Sequence, residues 1–144
     1  MASIANAFAH LMTLPHLPEF VAIHDAARPL ATAELLERCV DAAQETGAAI
    51  VAHRVTDTIH ISDDVDFIQT TPYRPALWAA ETPQVFRTDL YARALRELDW
   101  HANPPTDDAS LVRRLPGVKV KLVENTSPNP KITYRHDLVS YENL

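Results

Sequence analysis

Residues 20–52, FVAIHDAARPLATAELLERCVDAAQETGAAIVA, carry the clearest structural pattern in the sequence. The apolar, branched run at 20–24 predicts a buried strand, and residues 48–52 predict a second one. Between them, apolar residues recur at helical spacing over 32–46, starting at a threonine that suits an N-cap. A strand, a helix and a strand within roughly 30 residues are typical of the βαβ unit of a parallel sheet. The sequence therefore predicts an α/β fold.

The remaining segments predict shorter elements around this unit. Gly47 is suited to end the central helix. The segment 58–71 alternates in polarity around Asp63, Asp64 and Asp66, which predicts a hairpin-like arm with an acidic tip. The other expected elements are helices at Ser3–Met12, Thr88–Leu98 and Asp108–Leu115, strands at Val118–Val123 and Lys131–Tyr134, and a final helix that begins at His136.

Composition limits the class of function. The chain has 144 residues, 47% of them hydrophobic, which is enough for one domain with a core. Its net charge of −6 disfavours nucleic acid and anionic membranes as partners, because both select a basic surface. No apolar run reaches the roughly 18–20 residues of a membrane span, so a soluble, cytoplasmic protein is expected. Cys39 is the only cysteine, which excludes an internal disulfide.

The glycine count excludes one kind of nucleotide site. Only two glycines are present. A phosphate-binding loop of the GxGxxG kind needs three glycines, and one of the GxxxxGK kind needs two that are five positions apart, whereas Gly47 and Gly117 are 70 positions apart.

Polar residues just past the two predicted strands form a candidate ligand site. His24, Asp25 and Arg28 follow the first strand, and residues 54–58 follow the second. Ligands of such sheets bind beyond the carboxyl ends of the strands. Taken alone, however, an Asp25–Arg28 pair is equally explained as an ion pair that stabilises a plain turn.

Other candidates have similar alternatives. Arg74 and Lys131 are also explained as surface cations, and Thr58 and Thr82 as turn or cap hydroxyls. His60 with the three aspartates of the arm tip matches no metal-ligand spacing, so an acidic tip is the simpler interpretation. No metal site is predicted.

Several short motifs occur in one order along nearly the whole chain. They are HDAARP at 24–29, TDTI at 56–59, RPALW at 74–78, ETPQ at 81–84, TDDAS at 106–110 and NPKIT at 129–133. In this order they resemble the C-terminal portion of the 2-C-methyl-D-erythritol 4-phosphate cytidylyltransferase family. The family's glycine-rich AAGxGxR loop and a downstream lysine, which hold the triphosphate of CTP, have no match in these residues.

The resemblance implies a fold. The chain would be an incomplete Rossmann-like nucleotidyltransferase of the glycosyltransferase A-like type, with a parallel-type sheet. Residues 1–144 would form a single, N-terminally truncated cytidylyltransferase domain, and a β-arm would protrude at about 54–76.

The resemblance also implies an activity and its partners. The activity would be cytidylyl transfer from CTP to 2-C-methyl-D-erythritol 4-phosphate with release of pyrophosphate, in non-mevalonate isoprenoid precursor synthesis. Mg²⁺ would be held mainly through the CTP phosphates. The enzyme would be a homodimer joined through the arm, in the cytoplasm or, for a plant-type source, in the plastid stroma.

The matched motifs imply roles for single residues. Lys131 and Asp25 would be the catalytic residues, with Lys131 neutralising charge at the α-phosphate. Asp25 and Arg28 would help to place the nucleotide sugar and methylerythritol phosphate. On the arm, Thr58 and Arg74 would reach across the homodimer to hold the acceptor phosphate. The other expected contacts are hydroxyl contacts from Thr82 and Thr106 and a contact from Ser3 to the cytosine end.

The chain departs from the family pattern at three positions. His60 stands where a basic residue is usual, Tyr73 replaces an aspartate, and Pro130 replaces an aliphatic residue. Little or no activity is expected from residues 1–144 alone, because the phosphate loop is missing from them. Two other interpretations stay open: a ribitol-type polyol-phosphate cytidylyltransferase, and a non-catalytic remnant that pairs with an intact homologue.

Overall fold

A computed structural model describes residues 2–99, 102–135 and 137 of the chain. The helix expected before the first strand, the helix expected after it and the two helices expected after the arm are all present. Their bounds differ from the predicted ones by at most a few residues. The elements in chain order are α1 (Ala2–Leu11), β1 (Phe20–Ile23), α2 (Ala33–Thr46), β2 (Ala48–Arg54), β3 (Ile61–Ser62), β4 (Ile68–Thr70), a 3-10 turn (Arg74–Ala76), β5 (Trp78–Arg87), α3 (Thr88–Glu97), α4 (Asp108–Val112) and β6 (Lys121–Glu124).

Four strands form the central sheet, in the order β1-β5-β2-β6. Strand β5 is antiparallel to both β1 and β2, whereas β6 is parallel to β2. Three strands therefore share one direction and β5 opposes them, which confirms the predicted α/β fold. The predicted strand–helix–strand unit is present as β1, α2 and β2. Its two strands run in the same direction but are not neighbours, because β5 lies between them.

Strand β5 has no counterpart in the elements predicted from sequence. Its register with β2 shifts between Ile50 and Ala52, where residues 81–83 of β5 face Val51 alone. This is a β-bulge, and Pro83 lies in it, where a residue without an N–H is tolerated. Bulges are common beside functional sites because they re-aim side chains. The prolyl and polar residues of the bulge explain why no strand pattern is visible in the sequence.

Helix α2 begins and ends where the sequence predicts. The Thr32 side chain accepts a hydrogen bond from the Leu35 backbone N–H (3.2 Å) and is the N-cap. Gly47 ends the helix in the left-handed conformation (φ 83°), and its N–H donates to Ala43 O (2.7 Å). A side chain at this φ is strained, so glycine suits the position.

Replacing Thr32 with alanine should lower the free energy of unfolding by about 1 kcal/mol, because the substitution removes the cap of an amphipathic helix that covers the sheet. Urea denaturation of the two proteins measures the difference. Thr126→Ala, at an exposed loop position, is the matched control and should change stability by less than about 0.5 kcal/mol. Equal stabilities for the Thr32 variant and the unmodified chain would contradict this role.

Helices cover both faces of the sheet. Side chains of β2 alternate between the faces, so Ile50 packs with Phe86 and Tyr91 in the cluster beneath α1, α3 and α4. Val51 points the other way and packs with Cys39 of α2. The Cys39 thiol is fully buried, and this burial raises its pKa to about 11. Such a thiol is structural rather than reactive.

The expected arm is present as an exposed hairpin. Strands β3 and β4 pair antiparallel in a separate two-stranded sheet. At the tip, Asp63 Oδ1 accepts hydrogen bonds from the N–H groups of Val65 (3.0 Å) and Phe67 (2.9 Å). Asp66 takes a left-handed conformation (φ 64°), which aspartate tolerates better than most residues. The predicted hairpin with an acidic tip is confirmed.

The strand predicted at 131–134 is wrong. These residues form no strand, and the N–H of Ile132 donates instead to Ala27 O (2.8 Å) in the loop after β1. The loop contact takes up the Ile132 N–H that a ladder would use, and Pro130 offers no N–H immediately before the segment. The helix predicted from His136 lies outside the described residues, apart from Asp137. Of the helices described, none is long and apolar enough to cross a membrane.

Candidate functional site

A cleft of about 670 Å³ opens beside the carboxyl end of β1 and the bulge of β5. It brings together six of the eight site residues predicted from sequence. Two further predicted residues, Thr58 and Arg74, lie in the arm and do not line this cleft. The six are Ser3, Asp25, Arg28, Thr82, Thr106 and Lys131.

Asp25 is the centre of charge in this cleft. Its Oδ2 lies 3.1 Å from Lys131 Nζ and 3.6 Å from Arg28 Nε. The Arg28 guanidinium also donates to the backbone carbonyl of Asn129, which is 101 residues away in the chain. A plain Asp–Arg turn accounts for the contact of Arg28 with Asp25 but not for its contact with Asn129. Within this cluster two cations face one carboxylate, which leaves one positive charge for an anionic ligand, while Glu81, Asp107 and Asp108 also line the cleft.

Thr82 fixes the loop that carries Asp25. Its hydroxyl oxygen accepts from the Asp25 backbone N–H (3.0 Å) and lies 2.9 Å from His24 Nδ1. His24 Nε2 in turn lies 3.2 Å from Arg28 O. The hydroxyl predicted as a ligand contact therefore holds the loop after β1 in place, together with His24, for which the motifs predicted no role of its own.

The TDDAS motif forms the opposite wall of the cleft. Asp107 caps α4 by accepting from Ser110 N–H (2.8 Å). The Gln84 amide joins this wall to β5, because it donates to Asp107 Oδ2 (2.9 Å) and accepts from Ala109 N–H (3.0 Å). Thr106 Oγ1 lies 3.4 Å from Ser110 Oγ, so its hydroxyl is only weakly engaged. Gln84 and Asp107 are site residues that the sequence motifs contained but did not single out.

Asp108 is a nearly buried carboxylate at the back of the cleft. It accepts a hydrogen bond from the Tyr91 hydroxyl. Desolvation by burial raises the pKa of Asp108 above its ordinary value, the Tyr91 bond opposes that change, and the charge of Asp107 adds to it. Desolvation by burial also raises the pKa of Tyr91, so the phenol stays protonated and donates.

The raised pKa of Asp108 predicts a pH dependence of stability. Above the ordinary carboxyl pKa the unfolded state gives up this proton first, so ionising the folded carboxyl costs stability as pH rises through its folded-state pKa. Asp108→Asn removes the ionisation, and its stability relative to the unmodified chain should therefore increase between pH 5 and pH 8. Urea denaturation at both pH values measures this change.

Asp89→Asn is the control for this measurement. The hydrogen bond from Arg87 lowers the pKa of Asp89, so this carboxyl is ionised in both folded and unfolded states above about pH 5. The difference in stability between Asp89→Asn and the unmodified chain should stay constant from pH 5 to pH 8. A constant difference for Asp108→Asn as well would show that Asp108 does not titrate abnormally.

A second buried carboxylate, Glu81, lies beneath the loop that carries Lys131. It is 4% exposed, and its Oε1 lies 2.6 Å from His53 Nδ1. Its Oε2 accepts from the side-chain amides of Asn125 (3.0 Å) and Asn129 (2.8 Å). The motifs ETPQ and NPKIT contain Glu81 and Asn129, yet only the fold shows that the two residues meet.

The predicted arm residues are placed away from the cleft. Arg74 Nη1 donates to Thr56 O (3.2 Å) at the base of the arm, and Thr58, two positions further along the chain from Thr56, is exposed. At the start of the hairpin, His60 Nδ1 lies 2.9 Å from Thr71 Oγ1. Within the described part of the chain, no three His, Cys, Asp or Glu side chains are grouped to hold a metal ion.

Comparison with known proteins gives a consistent result. A family model described as 2-C-methyl-D-erythritol 4-phosphate cytidylyltransferase matches residues 2–144. The chain is 48% identical over 124 residues to a protein of that name from Caldanaerobacter subterraneus subsp. tengcongensis, covering 86% of this chain and 54% of the relative. It is 44% identical over 136 residues to one from Prochlorococcus marinus, covering 92% of this chain and 59% of the relative.

A solved structure shares the fold. The crystal structure of 2-C-methyl-D-erythritol 4-phosphate cytidylyltransferase from Thermus thermophilus matches with a TM-score of 0.82 at 33% identity. The match covers 99% of this chain and 67% of the Thermus chain. The chain spans little more than half the length of the curated relatives described above.

Proposed function

Because the chain belongs to the 2-C-methyl-D-erythritol 4-phosphate cytidylyltransferase family, we propose that it acts in cytidylyl transfer from CTP to 2-C-methyl-D-erythritol 4-phosphate. The products are the CDP-linked methylerythritol and pyrophosphate, in non-mevalonate isoprenoid precursor synthesis. The observation that carries the proposal is the Asp25–Lys131–Arg28 cluster in the cleft, with Lys131 Nζ 3.1 Å from Asp25 Oδ2. A cytoplasmic location is part of the proposal, because the relatives at 48% and 44% identity are bacterial proteins.

The reaction needs alignment and charge stabilisation rather than a covalent enzyme intermediate. An oxygen of the acceptor phosphate attacks the α-phosphorus of CTP, a P–O bond forms, and the bond to pyrophosphate breaks. Lys131 would stabilise the negative charge that builds up on the α-phosphate oxygens. Arg28, whose guanidinium is fixed by Asn129, would hold a phosphate or sugar oxygen in line.

Asp25 has two tasks in this proposal. Before substrates bind, it keeps Lys131 at the cleft through their ion pair. With substrates bound, its carboxylate is suited to accept hydrogen bonds from sugar or polyol hydroxyls, as it has no donor of its own. Thr82 holds its backbone in position for both.

Mg²⁺ would enter as the complex with CTP. The cleft fits an ion held by phosphate oxygens, since no three acidic or imidazole groups gather in the described residues and Asp25 is already paired with cations. When bound, such an ion neutralises phosphate charge and orients the leaving group. No protein side chain in this chain is assigned to hold it directly.

The arm residues would complete a neighbouring cleft. Thr58 and Arg74 do not line the cleft of their own chain, so we place them against the acceptor phosphate of a partner in a homodimer. The arm also exposes apolar side chains that water does not favour, which supports an interface there. These are Ile59, Ile61, Val65, Phe67 and Ile68.

Pyrophosphate release tests the proposed function. The assay contains CTP, Mg²⁺ and either methylerythritol phosphate or ribitol phosphate. Two proteins are compared: the chain by itself, and an extended protein in which the upstream portion of the Caldanaerobacter relative precedes it. We expect turnover by the extended protein with methylerythritol phosphate and little or none by the chain alone, which has no glycine-rich loop.

Each outcome of this assay has a distinct meaning. Faster turnover with ribitol phosphate would replace the acceptor and keep the chemistry. Robust turnover by the chain alone would show that the phosphate loop is dispensable. No turnover by a folded extended protein with either acceptor would reject the proposed function.

A further inference from the structure

Both oxygens of the buried Glu81 carboxylate have hydrogen-bonding partners that lie outside its own strand, β5. A carboxylate removed from water costs several kcal/mol unless hydrogen bonds compensate the loss. Glu81 is 4% exposed and receives three such contacts, one from His53 and two from side-chain amides. Both amides, those of Asn125 and Asn129, belong to the loop between β6 and Lys131.

Asn129 connects Glu81 to three residues of the cleft. Its side-chain amide donates to Glu81 Oε2 (2.8 Å) and to Thr82 O (3.1 Å). Its backbone carbonyl accepts from Arg28. Lys131 follows it by two residues in the chain, so the position of Asn129 limits where the Lys131 amine reaches.

The loop at 125–131 has no regular secondary structure that would fix it otherwise. Backbone hydrogen bonds hold its two ends, from Asn125 N–H to Ala52 O (2.9 Å) and from Ile132 N–H to Ala27 O (2.8 Å). Between these ends, hydrogen bonds hold Asn129 on two sides, with its side-chain amide on Glu81 Oε2 (2.8 Å) and its backbone carbonyl on the Arg28 guanidinium.

We propose that Glu81 is a positioning residue, which holds Asn129 and thereby keeps Lys131 against Asp25 at the mouth of the cleft. The catalytic importance of Lys131 rests on the proposed function, whereas its positioning by Glu81 does not. The shape of Glu81 is what matters in this role, because glutamine also offers an oxygen to the two asparagine amides and an N–H to His53.

Acetylation of individual lysines tests the proposal on the chain as it exists. The protein contains three lysines, Lys119, Lys121 and Lys131, and trace acetic anhydride followed by peptide mass spectrometry gives a rate for each. The Asp25 carboxylate shields the Lys131 nitrogen from the reagent. In Glu81→Ala, the Lys131 rate should rise about two- to fivefold, the range of a partly exposed ion pair, while Lys119 and Lys121 are unchanged.

Three further variants separate positioning from a general loosening of the fold. Glu81→Gln should react within about 1.5-fold of the unmodified chain, because the conservative side chain restores the contacts. Asn129→Ala should match Glu81→Ala, and it takes the place of that variant if the latter does not fold. Glu124→Ala, which removes the exposed ion pair with Arg54 just before the loop, should leave Lys131 unchanged.

The decisive comparison is made in a chain that already lacks the ion pair. In Asp25→Asn the Lys131 rate should be high from the start, because the ion pair is already lost, so adding Glu81→Ala should change it by less than about 1.5-fold. An equal, multiplying increase in both backgrounds, or no increase in either Glu81→Ala or Asn129→Ala, would overturn the proposal. No nucleotide or acceptor enters this experiment, so its failure and the failure of the proposed transfer reaction are distinguishable.

Discussion

Lys131→Ala should lower kcat for cytidylyl transfer by the extended protein by about 10²–10³-fold, the usual effect of losing one preorganised donor to developing charge. Lys131 is the lysine of the cleft, and its amine is held 3.1 Å from Asp25 rather than free at the surface. Because the charge builds up in the transition state, kcat should change more than the KM for CTP. Steady-state pyrophosphate release measures both constants.

Lys121→Ala is the matched control for this variant. Lys121 is exposed on β6 and does not line the cleft, so its removal should change kcat less than about threefold. Lys131→Arg should retain part of the activity, since the charge remains but the point-like ammonium is replaced by a planar fork. Equal rates for Lys131→Ala and Lys121→Ala would remove Lys131 from the reaction.

Phe86→Ala should lower the free energy of unfolding by about 3–5 kcal/mol, because it leaves a cavity at the centre of the core. Phe86 is fully buried on β5 and stacks on Tyr91 with ring centroids 5.4 Å apart. Domains of this size commonly have a total stability of about 5–15 kcal/mol, so the loss is a large share. Thermal unfolding should shift down by roughly 6–20 °C.

Phe67→Ala provides a control with the same chemical change at an exposed site. Phe67 lies at the arm tip with 71% of its surface exposed in the single chain, so at protein concentrations too low for the proposed homodimer its loss should cost less than about 0.5 kcal/mol. Circular dichroism melts of the two variants give the comparison. A Phe86 variant as stable as the Phe67 variant would mean that β5 is not part of a packed core.

The sequence was sufficient to predict the elements that begin or end at a recognisable capping or turn residue. Thr32 and Gly47 mark the ends of α2, and both caps are present in the structure. The same holds for the arm, whose alternating residues and aspartate tip are confirmed as a hairpin. Capping and turn formation depend on neighbours in the chain, which a single sequence displays.

Elements that depend on distant partners could not be predicted in this way. Strand β5 is central in the sheet, but Pro83 and the polar residues around it hide the strand pattern. The segment 131–134 has the composition of a strand, yet the Ile132 N–H bonds to Ala27 in a loop. Strand pairing is decided by tertiary context more than by propensity.

The residues of the candidate site likewise fall into those that motifs in the sequence predict and those that only the fold shows. Motifs in order were enough to predict six residues that the fold brings into one cleft. The Glu81 network was not predicted, because its partners His53, Asn125 and Asn129 lie 28, 44 and 48 residues away. A buried charge and its compensating donors are visible only when the fold brings them together.

The identity of the product tests the proposed function most directly. ³¹P NMR of the extended protein with CTP, methylerythritol phosphate and Mg²⁺ should show CTP replaced by pyrophosphate and by the two coupled signals of a CDP-linked diphosphate ester. The Lys131→Ala variant should leave CTP intact over the same time. Unchanged CTP in the unmodified extended protein, or CTP hydrolysed to CMP without a diphosphate ester, would contradict the assignment of this cleft to cytidylyl transfer.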